Sequence, residues 1–376
     1  MTVNSISTVI VIGAGIFGIS AAVQLVRRGV RVTLVNDGPV VNGASGRSLS
    51  WLNSARRRST AYHQLRVLGI DRYRTLSSRF PAAEWLRFDG GLTWDAEADN
   101  EIGEAFRHET ATGYDTRHVQ AEAVRDVTPG VDVTTIPPQG AIFNAGEGWV
   151  DLPLLAGVLL EEFTRRSGIL LTQDGTASVI VENNRVKGAA TASGKWLEAD
   201  AILLATGAGV PKAVAATTGQ FIGDRTSTGL LIRTRPLAHP LRAVLNTPRV
   251  AIRPAPGGAF VLDADWAASE VTRRADGTPN VRVETLVALL AEASRVLEGN
   301  PVLEVESHGV GAKPIPGDGE PVFGELQSTS GYYVAFSHSG ATLGLIAGEL
   351  LAYEIATDER HPLLAPFRPE RFASTA

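Results

Sequence analysis

Hydrophobic residues fall along this chain in short bursts separated by stretches of alternation. The first burst, TVIVIGAGIFGISAAVQLV at residues 8–26, is almost uncharged. Its β-branched opening, Val9 to Ile12, reads as a parallel strand buried on both faces. Glycines interrupt the run, a helical period carries on to Arg28, Gly29 ends the helix, and Val30 to Val35 resumes as a strand. The burst is therefore expected to be strand, turn and helix. With no basic residues ahead of it, neither an export signal nor a membrane span is expected.

Two later regions repeat this buried character. Residues 177–209, ASVIVENNRVKGAATASGKWLEADAILLATGAG, read as strand, turn, strand, polar hairpin and a buried strand ending at Ala205, Thr206 and Gly207. Residues 331–355, GYYVAFSHSGATLGLIAGELLAYEI, read as strand, turn and an apolar helix opening at Ser339. An amphipathic helix is expected within 147–168. Regions 70–140 and 220–310 show alternating, strand-like runs, with one helix near 284–298.

Composition narrows the classes. The chain has 376 residues, 44% hydrophobic and 20% charged, with a net charge of -5 and no cysteine. That is a globular composition long enough for two domains. The charge gives no reason to expect nucleic acid or an acidic membrane as partner. Lack of cysteine excludes disulfides, cysteine zinc sites, thiolate nucleophiles and a cysteinyl cofactor bond, and is compatible with a reducing cytoplasm, the expected location. No spacing of metal ligands is present.

Between the first strand and helix stands Gly13-Ala14-Gly15-Ile16-Phe17-Gly18, a GxGxxG turn. In such a turn the first glycine permits the tight bend, the second lets backbone approach a pyrophosphate, and the third lets helix and strand pack closely. The helix N-terminus then receives the phosphate. Ala22 and Gly29 extend the spacing towards a dinucleotide. The second strand ends in LVND, so Asn36 stands where an acid holding the ribose hydroxyls is expected, with Asp37 one residue later. Asparagine accepts a hydrogen bond there without charge.

These motifs, together with GASGRSLSWLN (43–53), EGWVDLPLLAGVLLEEFTRRSG (147–168) and the 331–355 segment, resemble in order the FAD-dependent D-amino acid oxidase superfamily, which includes glycine and sarcosine oxidases. The resemblance implies an α/β fold: a Rossmann-like FAD-binding domain from residues 1–75, 145–220 and 312–376, with an inserted, mainly antiparallel-sheet substrate domain from 76–144 and 221–311. It implies that Ser45, Gly46, Arg47 and Ser48 meet the pyrophosphate and ribityl chain, and that Leu52 lines the flavin ring. Trp51 either lines that ring as well or packs the core. Val179 would offer backbone to adenine, with Thr206 and Gly207 close to the nucleotide. Ser339, Gly340, Ala341, Thr342 and Leu343 would turn a helix N-terminus towards the flavin, where reduction places negative charge. FAD is expected to be non-covalent, since no early histidine adjoins the glycine turn.

The resemblance further implies hydride transfer from the carbon beside an amine nitrogen, with the flavin carrying the chemistry and the protein gripping a carboxylate. The segment GAKPIPGDGEPVFG (311–324) sets Lys313 among glycines and prolines, so this cation is expected to be positioned. In glycine-oxidase-like members an arginine at the equivalent place binds substrate carboxylate; lysine offers a compact charge in place of a planar fork. Alternative anchors are Arg253, or one of Arg56, Arg57 and Arg58, which on a helix would face different directions. His338 is either a flavin-side group or a hydrogen-bonded structural histidine. The expected activity is oxidation of an amino acid or an N-substituted glycine, with oxygen as acceptor. A D-amino acid dehydrogenase with another acceptor and a 2-hydroxy-acid oxidase are the alternatives.

Overall fold

The computed structural model describes residues 6–372. The chain divides into two compact units. One holds residues up to Gly46, Leu152–Ser227 and residues from Ala312 onward; the other holds Arg47–Asp151 and Thr228–Gly311.

The first unit is built on a six-stranded sheet in the order Val322–Glu325, Tyr332–Phe336, Ala201–Leu204, Thr8–Ile12, Arg31–Val35, Ile169–Leu171. All neighbours run parallel except the Val322–Glu325 edge strand, which is antiparallel to its partner. The central strands are buried on both faces, which is why they read as unbroken apolar runs: Ile10 stands between Ile202 and Thr33. Helix Ile16–Arg27 and helix Gly340–Thr357 lie against each other, with no side chain at Gly348 where Ser20 approaches. Near the end of the second helix, Glu354 accepts two hydrogen bonds from Arg368, and both residues are buried. A separate antiparallel sheet is formed by Ala177–Glu182, Arg185–Thr191 and Trp196–Glu198, the region expected to be hairpin-like.

The second unit centres on an eight-stranded sheet. Strands Ser227–Thr234, Ala259–Asp263, Ala251–Ala255 and Val244–Asn246 pair antiparallel in that order. The last then pairs parallel with Gly91–Thr93, which returns to antiparallel pairing with Ala141–Asn144. Leu92, Phe143, Ile232, Leu245, Ile252, Phe260 and Leu262 alternate inward to form its core. Helix Val283–Val296 lays Leu286, Leu289, Ala293 and Val296 on that core, the helical spacing that the sequence showed near 284–298.

The mixed α/β architecture is the expected one, but the units part at different residues. Residues 47–75 and 145–151 were expected with the dinucleotide-binding part and belong to the second unit. The reason is local pairing: Trp51–Leu52 adds to Gly148–Val150, which also pairs with Leu86–Arg87. Residues 221–227 go the other way, into the first unit.

Candidate active site

The glycine turn follows directly from the strand Thr8–Ile12. Gly13 has φ 107°, and a Cβ there would stand 2.5 Å from the Ala205 carbonyl oxygen. A Cβ on Gly18 would stand 1.9 Å from the Gly13 oxygen, so only glycine lets the helix begin this close to the strand. Three backbone donors at the turn are tied down: Gly13 N–H donates to the Val35 carbonyl at 2.8 Å, Ala14 N–H to Asn36 Oδ1 at 2.8 Å and Ile16 N–H to Ser45 Oγ at 3.0 Å. The N–H groups of Gly15 and Phe17 have no partner among the described residues. Orphaned donors at this half-buried helix N-terminus fit the pyrophosphate of a dinucleotide.

Asn36 is buried and braces this turn. Besides accepting from Ala14, its amide donates to the carbonyls of Gly38 and Pro39. The neighbouring Asp37 is exposed. Val41, a β-branched residue at φ 51°, opens the loop that carries Ser45 and Gly46. Left-handed backbone at such a residue persists only where its surroundings impose it. In the same unit Val179 is buried, Thr206 is exposed and Gly207 is half-buried at φ 57°.

The C-terminal helix begins at Gly340 with Ser339 as N-cap and no side-chain cap. Gly340 lies beside Ile16 and Phe17, so the amino ends of two helices meet in the first unit. Ala341 is half-buried, and Thr342 and Leu343 are buried. His338 is exposed just before this end.

Lys313, half-buried, is the last residue of strand Val305–Lys313. The turn beyond it is fastened at three points. Arg225 N–H donates to the Ile315 carbonyl at 2.8 Å, and Gly317 N–H to that of Gly223 at 2.7 Å. The Arg371 guanidinium grips the Asp318 carboxylate, with Nε–Oδ2 at 2.6 Å, and also donates to the Glu320 carbonyl. This turn is therefore held, as its glycines and prolines suggested.

The second unit places the other cations. Ser50 and Arg56 adopt left-handed backbone, φ 58° and 70°. Ser48 Oγ accepts from Ser50 N–H at 3.0 Å, Leu52 is buried and Trp51 half-buried opposite Trp149. Arg47 lays its stem across Gly309 and Gly311. Arg253 is buried over the Trp149 ring, donates to Leu49 O, Nε–O 2.5 Å, and to Pro254 O, and lies 3.5 Å from Asp151. Burial brings its guanidinium down to about 10, against the attraction of Asp151. The three consecutive arginines precede the helix Thr60–Ser77 and are not on it. Arg56 is paired with Asp95 through both guanidinium nitrogens, and Arg57 reaches exposed Glu104 at 3.7 Å. Arg58 has no carboxylate partner among the described residues.

Sequence reasoning passed over a buried polar cluster in this unit. Glu147 is fully buried, and its Oε1 accepts from Tyr114 Oη at 2.6 Å and from Ser54 N–H at 3.3 Å. Its Oε2 has no hydrogen-bond partner. Burial raises its carboxyl to about 8. Glu109, also buried, accepts from Arg56 N–H at 2.7 Å and Asn144 Nδ2 at 2.8 Å. A lone Glu in EGWVD carries no sequence signal of burial; only its partners reveal it.

Known proteins resemble this chain in sequence and fold. The model of a family described as FAD dependent oxidoreductase matches residues 8–354. Glycine oxidase of Pseudomonas aeruginosa is 26% identical over 96% of this chain and 98% of its own length. The structure of L-amino acid deaminase from Proteus vulgaris superposes with a TM-score of 0.83 at 17% identity, over 97% of this chain and 93% of that one. Iminodiacetate oxidase from Chelativorans sp. BNC1 superposes with a TM-score of 0.77 at 20% identity, over 96% and 98%.

Proposed function

From the premise that the chain belongs to the family of FAD-dependent oxidoreductases, we propose that it oxidises the carbon–nitrogen bond of an amino acid in the manner of glycine oxidase, with an N-substituted glycine as the favoured substrate. When bound, FAD would supply the acceptor for one hydride, that is, for two electrons. The chain's own part is to hold the cofactor and the substrate. Gly15 and Phe17 N–H groups would face the pyrophosphate, with Ser45 and Asn36 bracing the turn that presents them. The exposed Asp37 is the carboxylate nearest the end of the second strand for the ribose hydroxyls. The paired helix ends at Gly15 and Gly340 would favour added negative charge.

The observation that carries the substrate reading is the held turn at Lys313. Lys313 ends a strand next to a turn fastened by Arg225, Gly223 and Arg371, so its backbone loses little freedom when it grips a carboxylate. Lysine binds as a point charge, tolerating a substrate whose carboxylate approaches less squarely than a fork requires. The likenesses to a glycine oxidase and to an iminodiacetate oxidase support amino-acid and secondary-amine substrates. The oxidised product, an imine, hydrolyses to an oxoacid and an amine: glyoxylate and the free amine when an N-substituted glycine is used. Oxygen is the proposed acceptor.

Anaerobic mixing of the yellow holoenzyme with matched D-amino acids and N-substituted glycines tests this. Bleaching by the N-substituted compounds, followed by rapid recovery of colour in air, is expected. Bleaching by 2-hydroxy acids alone would overturn the amine reading, and slow recovery in air would replace oxygen by another acceptor. Lys313→Met should raise KM for the carboxylate-bearing substrate roughly tenfold to a hundredfold, the worth of one charge-assisted hydrogen bond. An unchanged KM would remove Lys313 from the anchor role.

A further inference from the structure

Beyond the helix Gly340–Thr357 the chain runs on in short 3-10 turns, yet it is fastened at each step. His361 N–H donates to Glu354 Oε1 at 2.6 Å, and the His361 ring accepts from Leu363 N–H. Leu364 and Phe367 are buried. Arg368 then returns to the same carboxylate, with Nη1–Oε2 at 2.7 Å. Its guanidinium lies on Gly324 of the strand Val322–Glu325, where a Cβ would stand 2.2 Å from Nη1. The segment is thus tied to the last turns of the helix and to the edge strand together.

A little further on, the segment reaches the turn that follows Lys313. Arg371 donates Nε to Asp318 Oδ2 at 2.6 Å, Nη2 to Asp318 Oδ1 at 3.1 Å, and Nη2 to the Glu320 carbonyl at 2.8 Å. Glu320 N–H in turn donates to Asp318 Oδ1 at 3.0 Å, so the guanidinium closes residues 318–320 into a ring. A bidentate fork on a carboxylate fixes direction as well as distance. The Phe372 ring lies 4.5 Å from the Arg371 guanidinium and covers the place where two stretches of backbone cross. A Cβ on Gly223 would stand 2.7 Å from Phe372 Cε1 and 3.2 Å from Gly317 Cα, so the crossing requires glycine. Gly317 N–H donates to the Gly223 carbonyl at this crossing. All of these groups belong to the first unit.

We propose that residues 361–372 form a strap that positions Lys313, with Arg371 and Phe372 as positioning residues acting through the turn at 314–320. The inference rests on the proposed anchor role of Lys313. Lysine carries its charge on a flexible four-carbon stem, so the fold can place that charge only by fixing the backbone beneath it. Lys313 is the last residue of its strand, and the turn beyond has no ladder of its own to stiffen it. The strap supplies the stiffness from outside. Its other end is fixed at Glu354, on the helix whose amino end at Gly340 is proposed to favour negative charge. One short segment therefore ties two parts of the proposed site to each other. Displacing a positioned group by about 1 Å can cost about a hundredfold in rate, which is the scale on which such a tie matters.

Hydrogen exchange and steady-state kinetics of the holoenzyme, with sarcosine as the N-substituted glycine, test the strap. In Arg371→Gln the amides of 317–320 should exchange about tenfold faster or more, while those of the central strand Thr8–Ile12 keep the parent rate. KM for sarcosine should rise roughly fivefold to thirtyfold, with kcat within about threefold of the parent. Arg371→Lys should recover part of this, and Asp318→Asn, which keeps the shape of the turn, should repeat the loss and serves where Arg371→Gln folds poorly. The rise in KM should vanish in a Lys313→Met background, because a strap acting through Lys313 then has nothing left to position. Arg360→Gln, at the exposed pair with Glu370, should leave KM within about twofold. Unchanged exchange at 317–320 overturns the strap. So does a rise in KM that persists undiminished without Lys313, since that marks general loosening. If Lys313→Met leaves KM as it was, or sarcosine fails to bleach the flavin, the anchor or the reaction falls and exchange at 317–320 alone decides whether the strap holds the turn.

Discussion

Replacing Glu147 by Gln isolates the energetic consequence of burying one carboxyl. The side chain is fully buried, and its proton is held up to about pH 8 against an ordinary value of 4.5. Below 4.5 the folded and unfolded chains both keep the proton and the group costs nothing through ionisation. Between 4.5 and 8 the unfolded chain loses its proton while the folded one retains it, so stability falls as pH rises. Above about 8 both are ionised and the loss is complete. Three and a half pH units at about 1.36 kcal/mol each give about 5 kcal/mol. That figure is an upper bound, because relaxation or water entry around the carboxylate recovers part of it. Glutamine keeps the shape and the acceptor for Tyr114 but cannot ionise. Its amide puts two N–H donors where the protonated acid has one O–H, and the extra buried donor costs roughly 1–3 kcal/mol independently of pH. The slope, not the offset, is therefore diagnostic. Urea unfolding of the two proteins, followed from about pH 5 to about pH 9, should show Glu147→Gln gaining on the parent steadily up to about pH 8 and holding level beyond. Curves that stay parallel across this range would refute the argument, since every other titrating group is common to both.

Two other substitutions test the first unit. Gly18→Ala puts a Cβ 1.9 Å from the Gly13 oxygen, so the purified protein should carry little or no flavin, read from its visible spectrum; a full complement would show that the turn can move aside. Glu354→Ala leaves buried Arg368 without its carboxylate and should lower unfolding free energy by roughly 3–5 kcal/mol, measured by denaturant titration, whereas a loss below about 1 kcal/mol would mean that water reaches the guanidinium.

How much of this could be read from the residues alone depended on how local each cause was. The strand, glycine turn and helix at 8–27 were legible because period and punctuation lie within a few residues of one another. The same holds for helix Val283–Val296 and for the antiparallel character of the second unit. Boundaries were not legible. The segment containing Trp51 leaves the first unit because its pairing partner is Gly148–Val150, and a two-residue strand has too little pattern to announce a partner. Lys313 shows the mixed case. Glycines and prolines signalled a held turn, yet the groups that hold it, Gly223, Arg225 and Arg371, come from distant parts of the chain.

The arginines make the same point about charge. Arg56, Arg57 and Arg58 are chemically identical in the sequence, and the neighbours that the fold supplies decide their roles. Asp95 uses up Arg56, Glu104 draws Arg57 outward, and Arg58 lies with Arg66 against the Tyr62 ring. Arg253 was an equally reasonable anchor, but Leu49, Pro254, Asp151 and Trp149 occupy it, so its charge holds the 47–50 segment in place. A cation's function follows from which acids fold towards it and in which protonation state.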